Sequence, residues 1–214
     1  MRLKFDEQLK RLNEELIHMG NMIEQAIQST VEVFFAKDVK GAKQIMEDDE
    51  LVDHEQKKIE NMCFQLLIQQ QPVARDLRTI TAAMKMVTDM ERIGDHAADI
   101  AEITIMMAGS DYPLNIDNIR TMSVEAIVML LHAVEAYVER DMEKAKEVID
   151  HDDVIDELFI KVKKELIDMI CNYPEYAEQA ADLLMVNKYL ERIGDHATNI
   201  AEWVIFALDD HKEK

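Results

Sequence analysis

Carboxylates dominate the side chains able to do chemistry in this chain, and they recur at helical spacings. Glu91, Asp95, Asp99 and Glu102 follow one another at steps of four, four and three, which places them on one face of a helix. One hundred residues later Glu191, Asp195, Asn199 and Glu202 repeat the arrangement. Upstream of each stripe stands an Asp-x-x-x-Asp pair, Asp49 with Asp53 and Asp152 with Asp156. The first aspartate of each pair interrupts an otherwise apolar seam, where an unneutralised carboxylate is costly. Like charges one turn apart also repel. A hard cation, or a small oxygen-bridged cluster of them, would offset both penalties by joining carboxylates from adjacent helices. An acidic stripe taken alone is more simply a solvated face. Repetition of the spacing in both halves favours a metal site, because solvation needs acidity but not identical spacing. Oxygen donors suit magnesium, manganese or iron better than zinc, a preference on which the neighbouring His96 and His196 also bear.

Helices must position these groups, and the apolar residues draw them. Phe5, Leu9, Leu12, Leu16, Met19, Ile23, Ala26, Thr30 and Val33 form one seam of alternating four and three steps. A second seam runs from Ile45 through Val52, Ile59 and Cys63 to Leu66, and a third from Ala83 through Met90 and Ala97 to Thr104. The pattern restarts with helices near 115–139, 142–171 and 175–208. Pro72 and Pro174 each mark a helix start. With only five Gly, three Pro and 6% aromatics against 15 Met, the chain reads as all-α.

The motif Glu-Arg-Ile-Gly-Asp-His-Ala occurs at 91–97 and at 191–197, and ten of twelve positions from each glutamate agree. The Asp pairs align at an offset of 103, so the second half lacks three residues, expected in the turn between its middle and last helices. Gly109-Ser110-Asp111-Tyr112-Pro113 is the clearest linker. These observations predict two pseudo-symmetric three-helix bundles, residues 1–108 and 109–214, each holding one metal site. Gly94 and Gly194, inside helices, are expected to mark close helix crossings. Arg92 and Arg192 are expected to pair with spare carboxylate oxygens. Arg75 and Arg78, in the first turns of the third helix, are expected to be solvated or paired with an acid elsewhere in the fold, with an anionic partner as the alternative.

With 44 acidic against 24 basic residues, a net charge of −20 disfavours nucleic acid and anionic membrane surfaces as direct partners. Charges are expected to interrupt every apolar stretch short of a bilayer span, giving a cytoplasmic protein. Cys63 and Cys171 are expected to be small buried hydrophobes. No phosphate-cradling Gly-x-x-x-x-Gly-Lys and no Gly-x-Ser-x-Gly occurs, so an enzyme is not expected. A carboxylate-bridged di-iron oxidase needs two Glu-x-x-His motifs, and Glu15-Leu16-Ile17-His18 is the single one. A metal-free helical scaffold is the remaining alternative.

The paired Glu-Arg-Ile-Gly-Asp-His-Ala motifs, Gln71-Pro72-Val73-Ala74-Arg75-Asp76-Leu77-Arg78 and the Asp-x-x-x-Asp pairs together resemble the PhoU family, across essentially the whole sequence. That resemblance implies a regulator of phosphate uptake and phosphate homeostasis. It implies negative regulation of a high-affinity phosphate ABC transporter and of its two-component signalling. Implied partners are the transporter's cytoplasmic ATPase subunit and a membrane sensor histidine kinase, with no membrane insertion, and a homodimer is expected. The resemblance also implies metal clusters, iron among them. Their ligands are Asp49, Asp53, Glu91 and Asp95 in one half and Asp152, Asp156, Glu191 and Asp195 in the other, with Asp99 and Asn199 extending the stripes. Asn199 in the place of Asp99 removes a charge, so the sites are expected to differ.

Overall fold

The computed structural model describes residues 2–69, 73–110 and 117–209. Six α-helices carry these residues: α1 (Arg2–Ala36), α2 (Val39–Gln69), α3 (Ala74–Met107), α4 (Asp117–Glu139), α5 (Met142–Asn172) and α6 (Ala177–Leu208). Among the described residues there is no strand. Pro72 and the linker residues Asp111, Tyr112 and Pro113 lie outside the described residues. Pro174 opens a 3-10 turn, Pro174–Tyr176, that runs into α6. Four residues separate α2 from α3 and one separates α5 from this turn, which locates the three missing residues where they were expected.

The seams read from the sequence become the core. Leu12, Leu16, Met19 and Ile23 of α1, Ala83, Met86, Met90 and Ile93 of α3, and Leu183, Val186, Leu190 and Ile193 of α6 are all buried. Helices α1, α2 and α3 pack together, as do α4, α5 and α6. The halves join where α3 meets α6 and α1 meets α4, and one continuous apolar cluster runs through both.

The turns repeat as faithfully as the helices. Lys37 and Arg140, 103 residues apart, both adopt a left-handed backbone, with φ of 53° and 58°. At each turn the next amide reaches back to a carbonyl in the last helical turn, Asp38 N to Val33 O and Asp141 N to Ala136 O, both at 2.9 Å. Asp38 and Asp141 then cap the following helices, accepting from Lys40 N at 3.0 Å and from Glu143 N and Lys144 N at 3.0 and 3.1 Å.

Two expectations need correction. Cys63 is buried, but Cys171 is exposed, because Leu166 and Met169 take the inward positions of the last turns of α5. Helix α4 contains an 18-residue stretch of mean hydropathy 1.4 with no more than two charges, so charges do not interrupt every apolar run. Half of that stretch is buried against the neighbouring helices, which accounts for its apolar character.

Candidate metal centres

Helices α2 and α3 cross closely, and the glycine at the crossing allows it. A Cβ at Gly94 would stand 3.1 Å from Val52 Cγ1 and 3.3 Å from Asp49 Oδ1. At Gly194 it would stand 3.1 Å from Ile155 Cγ2 and 3.4 Å from Asp152 Oδ1, so α5 and α6 repeat the contact. Both glycines lie where expected, and both bring the first aspartate of the upstream pair against the stripe of the last helix.

In the first half Asp53 of α2 meets Glu91 and Asp95 of α3, with one carboxylate oxygen of each within 4.8 Å of the others. Partial burial, then Asp95, Asp53 and Asp99, push the Asp49 carboxyl up to about 6. Burial and Asp95 likewise raise Glu91, against the opposing pull of Arg92. Arg92 Nη1 donates to Asp95 Oδ2 at 2.9 Å, with its Nε 3.6 Å from Glu91 Oε2, the pairing expected of it. Lys57 lies 3.7 Å from Asp53 Oδ2. This oxygen-rich set fits a hard cation in its chemistry: carboxylates from two helices converge, and their charge is only partly met by side chains at the rim.

The second half differs. Burial, then Asp195 and Asp156, raise Asp152, while Asp195, its outer edge exposed, is raised by partial desolvation and then by Glu191. Lys188 Nζ, however, donates to Glu191. The corresponding residue in the first half is Thr88, so the second carboxylate group contains a cation that the first lacks. The halves differ here at a place other than Asn199: Lys188, three residues before Glu191 on the same helix, sets Glu191 apart.

Asp99 and Asn199 face the seam between the halves. Asn199 Nδ2 donates to Asp89 Oδ1 at 3.2 Å, and His196 Nδ1 lies 2.9 Å from the same oxygen. His96 Nδ1 lies 3.3 Å from Asp99 Oδ2, and its ring stacks on Tyr189 at 5.3 Å between centroids. The two imidazoles are 5.6 Å apart. Since a carboxylate only accepts, each Nδ1 carries the hydrogen. Asp99 still adds to the field that raises Asp49. Arg192 stands near His96, whose proton affinity burial and this charge lower.

Other expectations resolve within the fold. Arg78 Nη1 donates to the backbone carbonyl of Asp209, just past α6, while Arg75 is exposed. Glu15, the acid of the single Glu-x-x-His motif, accepts from Lys58 Nζ at 2.6 Å, and this bond lowers its pKa. That carboxylate is already neutralised by a lysine, which counts against an oxidase centre built on it.

Comparison with known proteins agrees with the repeat. The family profile described as the PhoU domain matches residues 16–104 and again 119–204. A phosphate-specific transport system accessory protein PhoU homolog of Clostridium acetobutylicum is 38% identical over 205 residues, covering 95% of this chain and 94% of that protein. One of Rhizobium meliloti is 32% identical over 203 residues, covering 94% and 86%. The crystal structure of PhoU from Pseudomonas aeruginosa superposes with a TM-score of 0.90 at 29% identity, covering 95% of this chain and 98% of that one.

Proposed function

The chain belongs to the PhoU family, and from that premise we propose that it is a cytoplasmic accessory protein that restrains phosphate uptake and its signalling when phosphate is plentiful. It acts as a docking regulator and not as an enzyme. Its partners are the ATPase subunit of a phosphate ABC transporter and a sensor histidine kinase, and it works as a homodimer. Asp49, Asp53, Glu91 and Asp95 hold metal in the first half, with Asp152, Asp156, Glu191 and Asp195 as the second set. Bound iron, manganese or magnesium supplies positive charge that removes the repulsion among these acids and fixes α2 to α3 and α5 to α6. The convergence of Asp53, Glu91 and Asp95 across two helices carries this reading.

Elemental analysis of protein purified without chelator tests the metal half of the proposal. Wild type should carry metal and a variant with Asp95→Ala and Asp195→Ala should carry none. Protein that stays metal-free after supplementation with each ion would refute it. Deleting the gene should raise phosphate uptake in phosphate-rich medium, and unchanged uptake there would refute the regulatory half.

A further inference from the structure

Beside the first carboxylate group lies a cleft of about 190 Å³ between α1, α2 and Gly94. Met22 and Ala26 of α1, with Ile45, Leu51 and Val52 of α2, give it largely apolar walls, and the polar Gln25, Ser29, Asp48 and Asp49 line it too. Asp48 is exposed and Asp49 half-buried, so the acids mark the cleft's outer side. Asp48 Oδ1 accepts from the neutral amide of Gln44 at 3.0 Å, which leaves its charge in place.

The second half shows what sets this cleft apart. The offset of 103 places the buried Leu16, Met19, Ile23, Ile27 and Phe34 of α1 on the buried Ile119, Met122, Ala126, Leu130 and Tyr137 of α4. On that register Ala26 corresponds to Met129, Met22 to Glu125 and Asp48 to His151. Met129 is 1% exposed, so a buried thioether chain stands where the first half has a methyl. His151 Nε2 bonds Glu125 Oε2 at 2.7 Å, joining α5 to α4 where the first half has an unmatched aspartate and a methionine. One half is filled and charge-paired at the place where the other is open and acidic.

The chemistry of the lining selects the occupant. A largely apolar hole with the uncommitted carboxylate of Asp48 on its outer side suits an aliphatic stem that ends in a cation, the shape of lysine and arginine. An anion would meet Asp48 and the field of a chain with net charge −20. The volume is that of one side chain, not of a peptide segment. We propose that the cleft of the first half receives a lysine or arginine side chain of a partner protein, so that a partner engages this half and not its copy. The inference rests on the reading of the chain as a docking regulator and names the chemistry of the contact.

The test uses the full chain labelled with 13C at its methionine methyls, titrated with n-butylguanidinium and, separately, with n-butyrate. Butylguanidinium should shift the Met22 resonance saturably while leaving that of Met129 in place, and butyrate should not. Ala26→Met, which borrows the residue of the second half, should weaken this titration at least tenfold. Should that variant fold poorly, Leu51→Lys at the exposed rim supplies its own cation and should weaken the titration comparably. Absence of a saturable Met22 shift, an equal response to butyrate, or an unchanged titration in a folded variant would overturn the proposal. Neither metal content nor phosphate uptake is read, so such a failure leaves the regulatory reading standing.

Discussion

Asp49 is the residue whose ionisation is most disturbed within the candidate metal centre, and it gives a prediction with a definite sign. Its carboxyl titrates at about 6 in the folded protein, against the ordinary aspartate value of 3.8. Between those values the folded state holds the extra proton, so the stability it contributes is complete below the unfolded pKa and is lost as pH rises through about 6. Chelator-treated protein should therefore lose on the order of 1 kcal/mol between pH 4.5 and 7.5 from this group, solvent screening of the half-exposed carboxyl included. Asp49→Asn should flatten that part of the urea-melt pH profile, and an unaltered profile would show that other acids set it. The carboxylates themselves are legible from spacing, because a helix converts steps of four and three into a shared face. Lys188 stands three residues before Glu191, so its pairing follows from the same rule once basic residues are read beside the acids.

At the scale of the elements, the duplicated turns carry their own test. The left-handed backbone of Arg140 costs Cβ strain that glycine lacks. Arg140→Gly should raise stability by about 1 kcal/mol, whereas Asp141→Ala should lower it by about 1 kcal/mol through loss of the α5 cap. Both are read from urea midpoints, and opposite signs for the pair are the expected result. The three seams traced in the first half become largely buried faces, and the restarted pattern places the other three helices near their observed bounds. Cys171 departs from expectation for a local reason: near a helix end, apolar neighbours in sequence do not tell which side the last turn presents. The apolar run of α4 escapes a sequence reading because its few charges are spread out, and contact with other helices, invisible in the sequence, accounts for it.

For the molecule as a whole, the α3–α6 seam decides how the halves sit together. Asp89 and Tyr189 occupy equivalent positions, as do Asp99 and Asn199, yet neither pair is alike. Asp89 meets His196 and Asn199, while Tyr189 meets His96 across the pseudo-twofold. Restoring the acid with Asn199→Asp would place a second carboxylate against Asp89 where an amide now donates at 3.2 Å. That change should cost about 1–3 kcal/mol, measured by urea denaturation, although it brings the second motif closer to the first. The repeated motif predicts the duplication, but the differences within it acquire meaning only once α6 lies against α3. A carboxylate at 199 is penalised while position 89 is also acidic, so the two positions are coupled across the seam. The seam thus makes the two copies complementary where their sequences differ: each supplies what the other lacks, and a change toward identity in one is felt by the other.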